Sequence, residues 1–154
     1  HSSCKFVCAP SESARLKNIC PICKKELVLG VDHRVHALAD REVGFKPENR
    51  IPFKSCVPLQ EIIGECLQKG KKTKGVVEYY EKMLELGGSE FNILLEMPIE
   101  EIKKISNDNI AEAIDRMRNG KISAQPGYDG NYGVISVYSP EEKVKMKAEQ
   151  KAMF

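Results

Sequence analysis

Apolar positions along this chain fall into blocks with different periods. Leu59, Ile62, Ile63, Cys66 and Leu67 recur at i, i+3, i+4, i+7 and i+8. That spacing puts them on one face of an α-helix, with Pro58 in its first turn and Gly70 as its stop. In GVVEYYEKMLELGG, residues 75–88, Val76, Val77, Tyr80 and Leu84 predict a second helix closed by Gly87 and Gly88. EFNILLEM, residues 90–97, is a short apolar segment. PIEEIKKI opens a further helix at Pro98, with Ile99 and Ile102 facing inward. NDNIAEAIDRMRNG predicts another: Asn107 or Asp108 caps it, Ile110, Ala113, Ile114 and Met117 line one side, and Gly120 ends it. The pattern then changes in KISAQPGYDGNYGVISVY, residues 121–138. Two short strands flank Pro-Gly and Asp-Gly turns there, which predicts a β-hairpin. SPEE, from Ser139, has the spacing of a capping box and opens a polar helical tail.

The first third of the chain shows no such period. Residues 1–41 are rich in cysteine and mildly basic, with seven Lys or Arg against four Asp or Glu. The stretch beginning Gly30-Val31 is helix-like. Residues 42–57 carry Pro47 and Pro52 without a sustained period, as expected of an extended linker packed on a neighbour. The expected organisation is α+β: a small zinc-knuckle module over 1–41, the linker over 42–57, a helical domain ending in a β-hairpin over 58–138, and a polar tail over 139–154.

Composition narrows the class. A chain of 154 residues can bury one core or two small ones, and 42% apolar with 30% charged residues is ordinary for a soluble globular protein. No apolar run is long enough to span a bilayer, and no secretory signal is present. The chain begins at His1 rather than Met and is read as a fragment. Of six cysteines, four lie within the first 23 residues, while Cys56 and Cys66 stand apart. This is the distribution of a metal site in a reducing, cytoplasmic compartment, not of a secreted disulfide scaffold.

Cys4-x3-Cys8 and Cys20-x2-Cys23 form two close pairs. Paired thiolates on tight turns suit one tetrahedral Zn2+, and four protein ligands leave no open position, so the ion would be structural. His1, His33 or His36 can stand in for Cys4 or Cys8. Cys-Pro-x-Cys also occurs in glutaredoxin-like oxidoreductases, which place it at a helix N-terminus to lower the thiol pKa. Here Leu27, Val28 and Leu29 follow the pair instead of an immediate helix. A third reading is a zinc-ribbon adaptor that docks a protein partner.

Several positions are candidates for DNA contact. Arg34, beside His33, can meet phosphate. Lys71, Lys72 and Lys74 lie in an inter-helix loop with no acid between Glu65 and Glu78. Residues 58–120 nevertheless carry nine basic against twelve acidic residues, so binding there would use a patch and not the overall field. In PGYDGNYG, Gly127 and Gly130 permit close backbone approach, and Tyr128 and Tyr132 can stack on an unstacked base.

Three landmarks occur in order: Cys20-Pro-Ile-Cys23 with Gly30-Val31-x-His33-Arg34-Val35-x-x-Leu38-Ala39-Asp40-Arg41, then Val57-Pro58-Leu59-x-Glu61-Ile62-Ile63, then Pro126-Gly127-Tyr128-Asp129-Gly130-x-Tyr132-Gly133. Together they resemble the region after the catalytic domain in endonuclease Q proteins. Lys24 stands where the family's knuckle commonly carries Gly. The resemblance implies a parent with an upstream PHP-type metal-dependent phosphoesterase domain, a zinc-binding module and a helical C-terminal domain. It implies incision of DNA on the 5′ side of deaminated bases, and at abasic sites. The PHP metal cluster needs several His, including a His-x-His pair. This chain has three His and no such pair, so it is expected to position damaged DNA and not to cut it alone.

Overall fold

The computed structural model describes residues 1–144, and the expected polar tail beyond them lies outside the described residues. The chain divides into two compact units: residues 1–53 with 125–134, and residues 54–124 with the chain from Ile135. The expected α+β class is observed, with a cysteine cluster near the N-terminus and a two-stranded hairpin late in the chain.

The helical unit is built by α3 (Leu59–Cys66), α4 (Lys74–Gly87), a π-helical turn (Asn92–Glu96), α5 (Ile99–Ile105) and α6 (Asp108–Arg118). The i, i+3, i+4, i+7 face of α3 is inside: Leu59, Ile62, Ile63 and Cys66 are buried in one cluster with Ile102, Ile110, Ile114 and Met117. At about 25 cal/mol per Å2 of apolar surface, each such side chain contributes roughly 1.5–3 kcal/mol.

On α4 the buried residues are Val76, Met83 and Gly87, while Tyr80 and Leu84 are only partly covered. The inward face is thus rotated from the one the apolar pattern suggests, and Gly87 explains why. A Cβ there would lie 2.5 Å from Ile93 Cγ1. The missing side chain lets the next turn press against α4, and Gly88 (φ 81°) then reverses the chain. The apolar segment that follows closes as a π turn, in which the Met97 N–H donates to the Asn92 carbonyl at 2.8 Å. It buries Ile93 and Leu94, whose carbonyls accept from the Arg118 guanidinium at 2.8 Å each.

Helix ends in this unit are satisfied in three ways. Pro98 precedes α5, and the Asn107 side chain accepts from the Ile110 N–H at 3.0 Å to cap α6. The α3 start is capped from a distance: the Leu59 N–H donates to Glu90 Oε1 at 2.7 Å, and the Tyr80 hydroxyl donates to Glu90 Oε2 at 3.0 Å. Ser139 and Glu142 form the expected capping box, the Ser139 N–H donating to Glu142 Oε2 (2.8 Å) and the Glu142 N–H to Ser139 Oγ (3.3 Å). Glu142 also takes Arg116 at 2.6 Å, and with these partners its carboxyl titrates at about 2.

β1 (Ser123–Gln125) and β2 (Val134–Ser136) pair as the expected hairpin. Its exit is held by Glu65 on α3, which accepts from Ser136 Oγ (2.6 Å), the Tyr138 N–H (2.8 Å) and the Val137 N–H (3.1 Å). Burial would push the Glu65 carboxyl up, but these donors and Lys143 outweigh it and hold it below the ordinary range.

The first unit contains α1 (Pro10–Arg15) and α2 (Val31–Leu38). α1 has no apolar stripe; Pro10 starts it, and buried Ser13 donates to Asn18 Oδ1 at 3.0 Å. Residues 42–53 form no helix or strand and are exposed throughout. No helix among the described residues is long and apolar enough to cross a membrane.

Candidate metal centre and nucleic-acid interface

Two turns with the same x2 spacing of candidate ligands build the cysteine cluster. Residues 20–23 turn so that the Lys24 N–H donates to the Cys20 carbonyl at 2.9 Å, and the Lys24 ammonium reaches the Pro21 carbonyl at 2.8 Å. The flanks run antiparallel: Ile19 bridges Glu26, the Cys20 N–H donates to the Lys25 carbonyl at 2.8 Å, and the Leu27 N–H donates to the Asn18 carbonyl at 2.8 Å. At the N-terminus, the Lys5 N–H donates to the Ser2 carbonyl at 3.3 Å. The residue after each second ligand has a left-handed backbone, Lys5 at φ 49° and Lys24 at φ 62°. That conformation is costly for a side-chain-bearing residue in both turns.

They carry His1, Cys4, Cys20 and Cys23, whose ligand atoms all lie within 4.8 Å of one another. Cys8 stands outside this group, and His1 takes the fourth place beside three cysteines, a substitution the spacing had left open. His1-x2-Cys4 repeats the two-residue spacing of Cys20-x2-Cys23, whereas after Cys4 the chain runs on toward α1 and takes Cys8 with it. The second x2 pair singles out His1 among the histidines left open as stand-ins for Cys4 or Cys8.

The donor set fits a tetrahedral ion. With metal–sulfur bonds of about 2.3 Å, the edges of such a tetrahedron are roughly 3.8 Å. Cys23 Sγ and His1 Nε2 are 3.8 Å apart. The other ring nitrogen, Nδ1, lies 3.4 Å from Ser3 Oγ, which helps orient the imidazole with Nε2 toward the sulfurs. The Cys20 thiol is lowered from its ordinary value, first because the Cys23 N–H points at the sulfur and also through the Ile22 N–H. Cys4 is raised, chiefly by its hydrogen bond with Cys23. Cys20 is fully buried and so is the sulfur most suited to an internal ligand.

Beside this centre, within the first unit, lies a cleft of ≈ 530 Å3. His1, Phe6, Cys8, Leu27 and His33 line one part of it, and the hairpin tip lines the rest through Gly127, Tyr128 and Tyr132. His33 is thereby gathered with Gly127, Tyr128 and Tyr132, which lie nearly a hundred positions away in sequence. The lining contains Asp32 and Asp129 but neither Lys nor Arg. It therefore suits an uncharged planar group better than a phosphate. The tip is rigidly made: the Tyr128 N–H donates to the Asn131 carbonyl (3.0 Å) and the Asn131 N–H returns to the Tyr128 carbonyl (2.7 Å). Gly130 supplies φ 83° in that turn and is not a lining residue. A Cβ on Gly127 would sit 2.1 Å from the Asn131 carbonyl oxygen, so only glycine fits. Tyr132 is 101% exposed.

The lysine loop lies in the other unit. Lys71 and Lys69 line a second, open cleft of ≈ 720 Å3 together with Glu61, Glu65 and Lys143. Lys71 pairs with Glu61 at 2.6 Å and Lys74 with Glu78 at 3.7 Å. These pairs are exposed and weak, of order 0–1 kcal/mol, so a phosphate can compete for the lysines. Lys72 is exposed, and Thr73 precedes α4 without a side-chain cap. Arg34 is exposed on α2 and is not among the cleft residues.

Comparison with known proteins places these features in a wider context. The family model of the MJ0043 C-terminal domain matches residues 58–121. The uncharacterized protein MJ0043 of Methanocaldococcus jannaschii is 36% identical over 123 residues, covering 80% of this chain and 15% of the relative. This chain thus spans under a sixth of that relative's length. Among solved structures, the lesion-specific endonuclease PfuEndoQ from Pyrococcus furiosus aligns with a TM-score of 0.73 at 35% identity, over 91% of this chain and 34% of that one. Endonuclease Q in complex with a 27-mer duplex substrate, with an abasic lesion at the active site, aligns with a TM-score of 0.71 at 35% identity, over 94% and 35%.

Proposed function

From a chain that is endonuclease Q-like in fold and sequence, and that spans about a third of such a chain, we propose a DNA-positioning role within a longer DNA-repair endonuclease. The observation that carries this reading is the cleft of the first unit. It brings two tyrosines, a histidine and a glycine-built turn to one place without Lys or Arg, as suits a binding site for an unstacked base. Phosphates would be met elsewhere, by Lys71, Lys72 and Lys74 and by Arg34.

In this reading His1, Cys4, Cys20 and Cys23 hold one Zn2+, whose part is structural: it fixes the wall against which the hairpin tip sits. Incision 5′ of deaminated bases belongs to the whole protein and to a PHP-type domain upstream. This chain supplies no phosphodiester chemistry of its own. A glutaredoxin-like role is disfavoured because residues 20–23 form a turn and the next helix starts only at Val31.

A fluorescence titration tests the proposal, with duplexes carrying uracil, an abasic site or no lesion, at low and moderate salt. Tight binding at low salt should weaken as salt rises. Tyr128→Ala with Tyr132→Ala should lose about tenfold on lesion DNA, in keeping with roughly 1–3 kcal/mol per stacked base. Glu substitution of Lys71, Lys72 and Lys74 should weaken all duplexes alike. Binding that neither set of changes disturbs would overturn the reading.

A further inference from the structure

Residues 31–53 present apolar side chains that nothing among the described residues covers. On α2, Val31, Val35 and Leu38 recur at i, i+4 and i+7 and are 82%, 58% and 64% exposed. No residue of that helix is buried. Behind it, Val43, Ile51 and Phe53 are 104%, 90% and 81% exposed, in a stretch without helix or strand. A helix of eight residues is marginal in water on its own, and an irregular segment of this length inside a domain is uncommon unless it lies on something. Scattered exposed apolar residues are normal, but a helical stripe followed within fifteen residues of chain by three more points to an interaction surface.

We infer that this surface is a joint: α2 and the segment behind it pack on an apolar face of the part of the longer polypeptide that this chain does not span. The inference rests on the reading that the chain works within a larger protein. Three observations select that occupant. The matched structures cover more than nine-tenths of this chain, yet about two-thirds of each lies outside the match, so a large surface is available in cis. Residues 31–53 carry four acidic and four basic residues, which gives a nucleic acid no net attraction. A second copy pairing through α2 would cover about 12 Å of helix and leave most of the extended segment in water.

Hydrogen exchange on the longer polypeptide and on this chain provides the test. Amides of residues 31–38 should exchange at least tenfold more slowly in the longer polypeptide. Val35→Asp with Leu38→Asp should return them to the rate in this chain, without changing metal content. Equal rates in the two proteins would overturn the inference. So would protection in this chain that grows with its concentration, which would identify a second copy as the occupant. The exchange comparison between unaltered proteins decides even if the double variant fails to fold. Failure to bind DNA with α2 still protected would sink the DNA-positioning role and leave the joint standing.

Discussion

The two units reach order by different physical routes. In the helical unit seventeen buried hydrophobic residues form one cluster, and every helix contributes to it. In the first unit the buried hydrophobic residue is Cys20, itself one of the four ligand-bearing residues. One unit has a core; the other gathers a few donor atoms that could hold a metal. A small module of the second kind cannot offset its chain entropy by burial alone, so with the proposed ion its fold should stand or fall with metal binding.

Metal removal is the strongest way to break that contrast. Chelation should unfold residues 1–53 while the helical unit keeps its cooperative transition, and exchange protection or NMR would show the two responses separately. Apparent binding free energies of ~10–16 kcal/mol for structural zinc in small peptides set the scale. Cys20→Ala should abolish metal binding, read as metal bound per chain, and Cys8→Ala should leave it intact. Next in size, Ile114→Ala should cost the helical unit about 2–5 kcal/mol in denaturant unfolding and leave metal content unchanged.

Glu65 gives a smaller and pH-dependent effect. Its folded pKa lies below its ordinary value, so its stabilisation is present above the unfolded carboxylate range and is lost as pH falls through the folded pKa. Glu65→Gln should cost on the order of 1–3 kcal/mol at neutral pH and flatten the acid limb of the stability curve. The smallest effect sharpens the comparison from the other side. Lys24→Gly should relieve a left-handed lysine and raise metal-loaded stability by up to about 1 kcal/mol, measured as a shift in midpoint.

The same contrast explains what the sequence made legible. Helices α3, α5 and α6 were readable because burying one face imposes a 3.6-residue period, and their start signals at Pro58, Pro98 and Asn107 are local. The inward residue Met83 was not readable, because the roll of α4 is set by Gly87 meeting Ile93, a tertiary contact. Glu90 capping α3 from thirty-one residues away is likewise invisible to any local pattern. α1 has no apolar period to reveal it. In the candidate metal centre the Cys20–Cys23 pair was legible, and the spacing left open whether Cys8 or a histidine completes the set, because that depends on how the chain after Cys4 runs. The gathering of His33 with Tyr128 and Tyr132 could not be seen in sequence at all, since only folding brings residues so distant together.

The glycine-built tip has a practical consequence for anyone wishing to retune this protein. Because Gly127 and Gly133 touch neighbouring main chain where any added carbon would collide, the loop backbone is closed to mutation. Tyr128 and Tyr132 project from it and can be exchanged without disturbing their mounting. Selectivity could therefore be altered one aromatic at a time on an unchanged frame, and libraries restricted to those two positions should yield folded variants far more often than libraries spread over the loop.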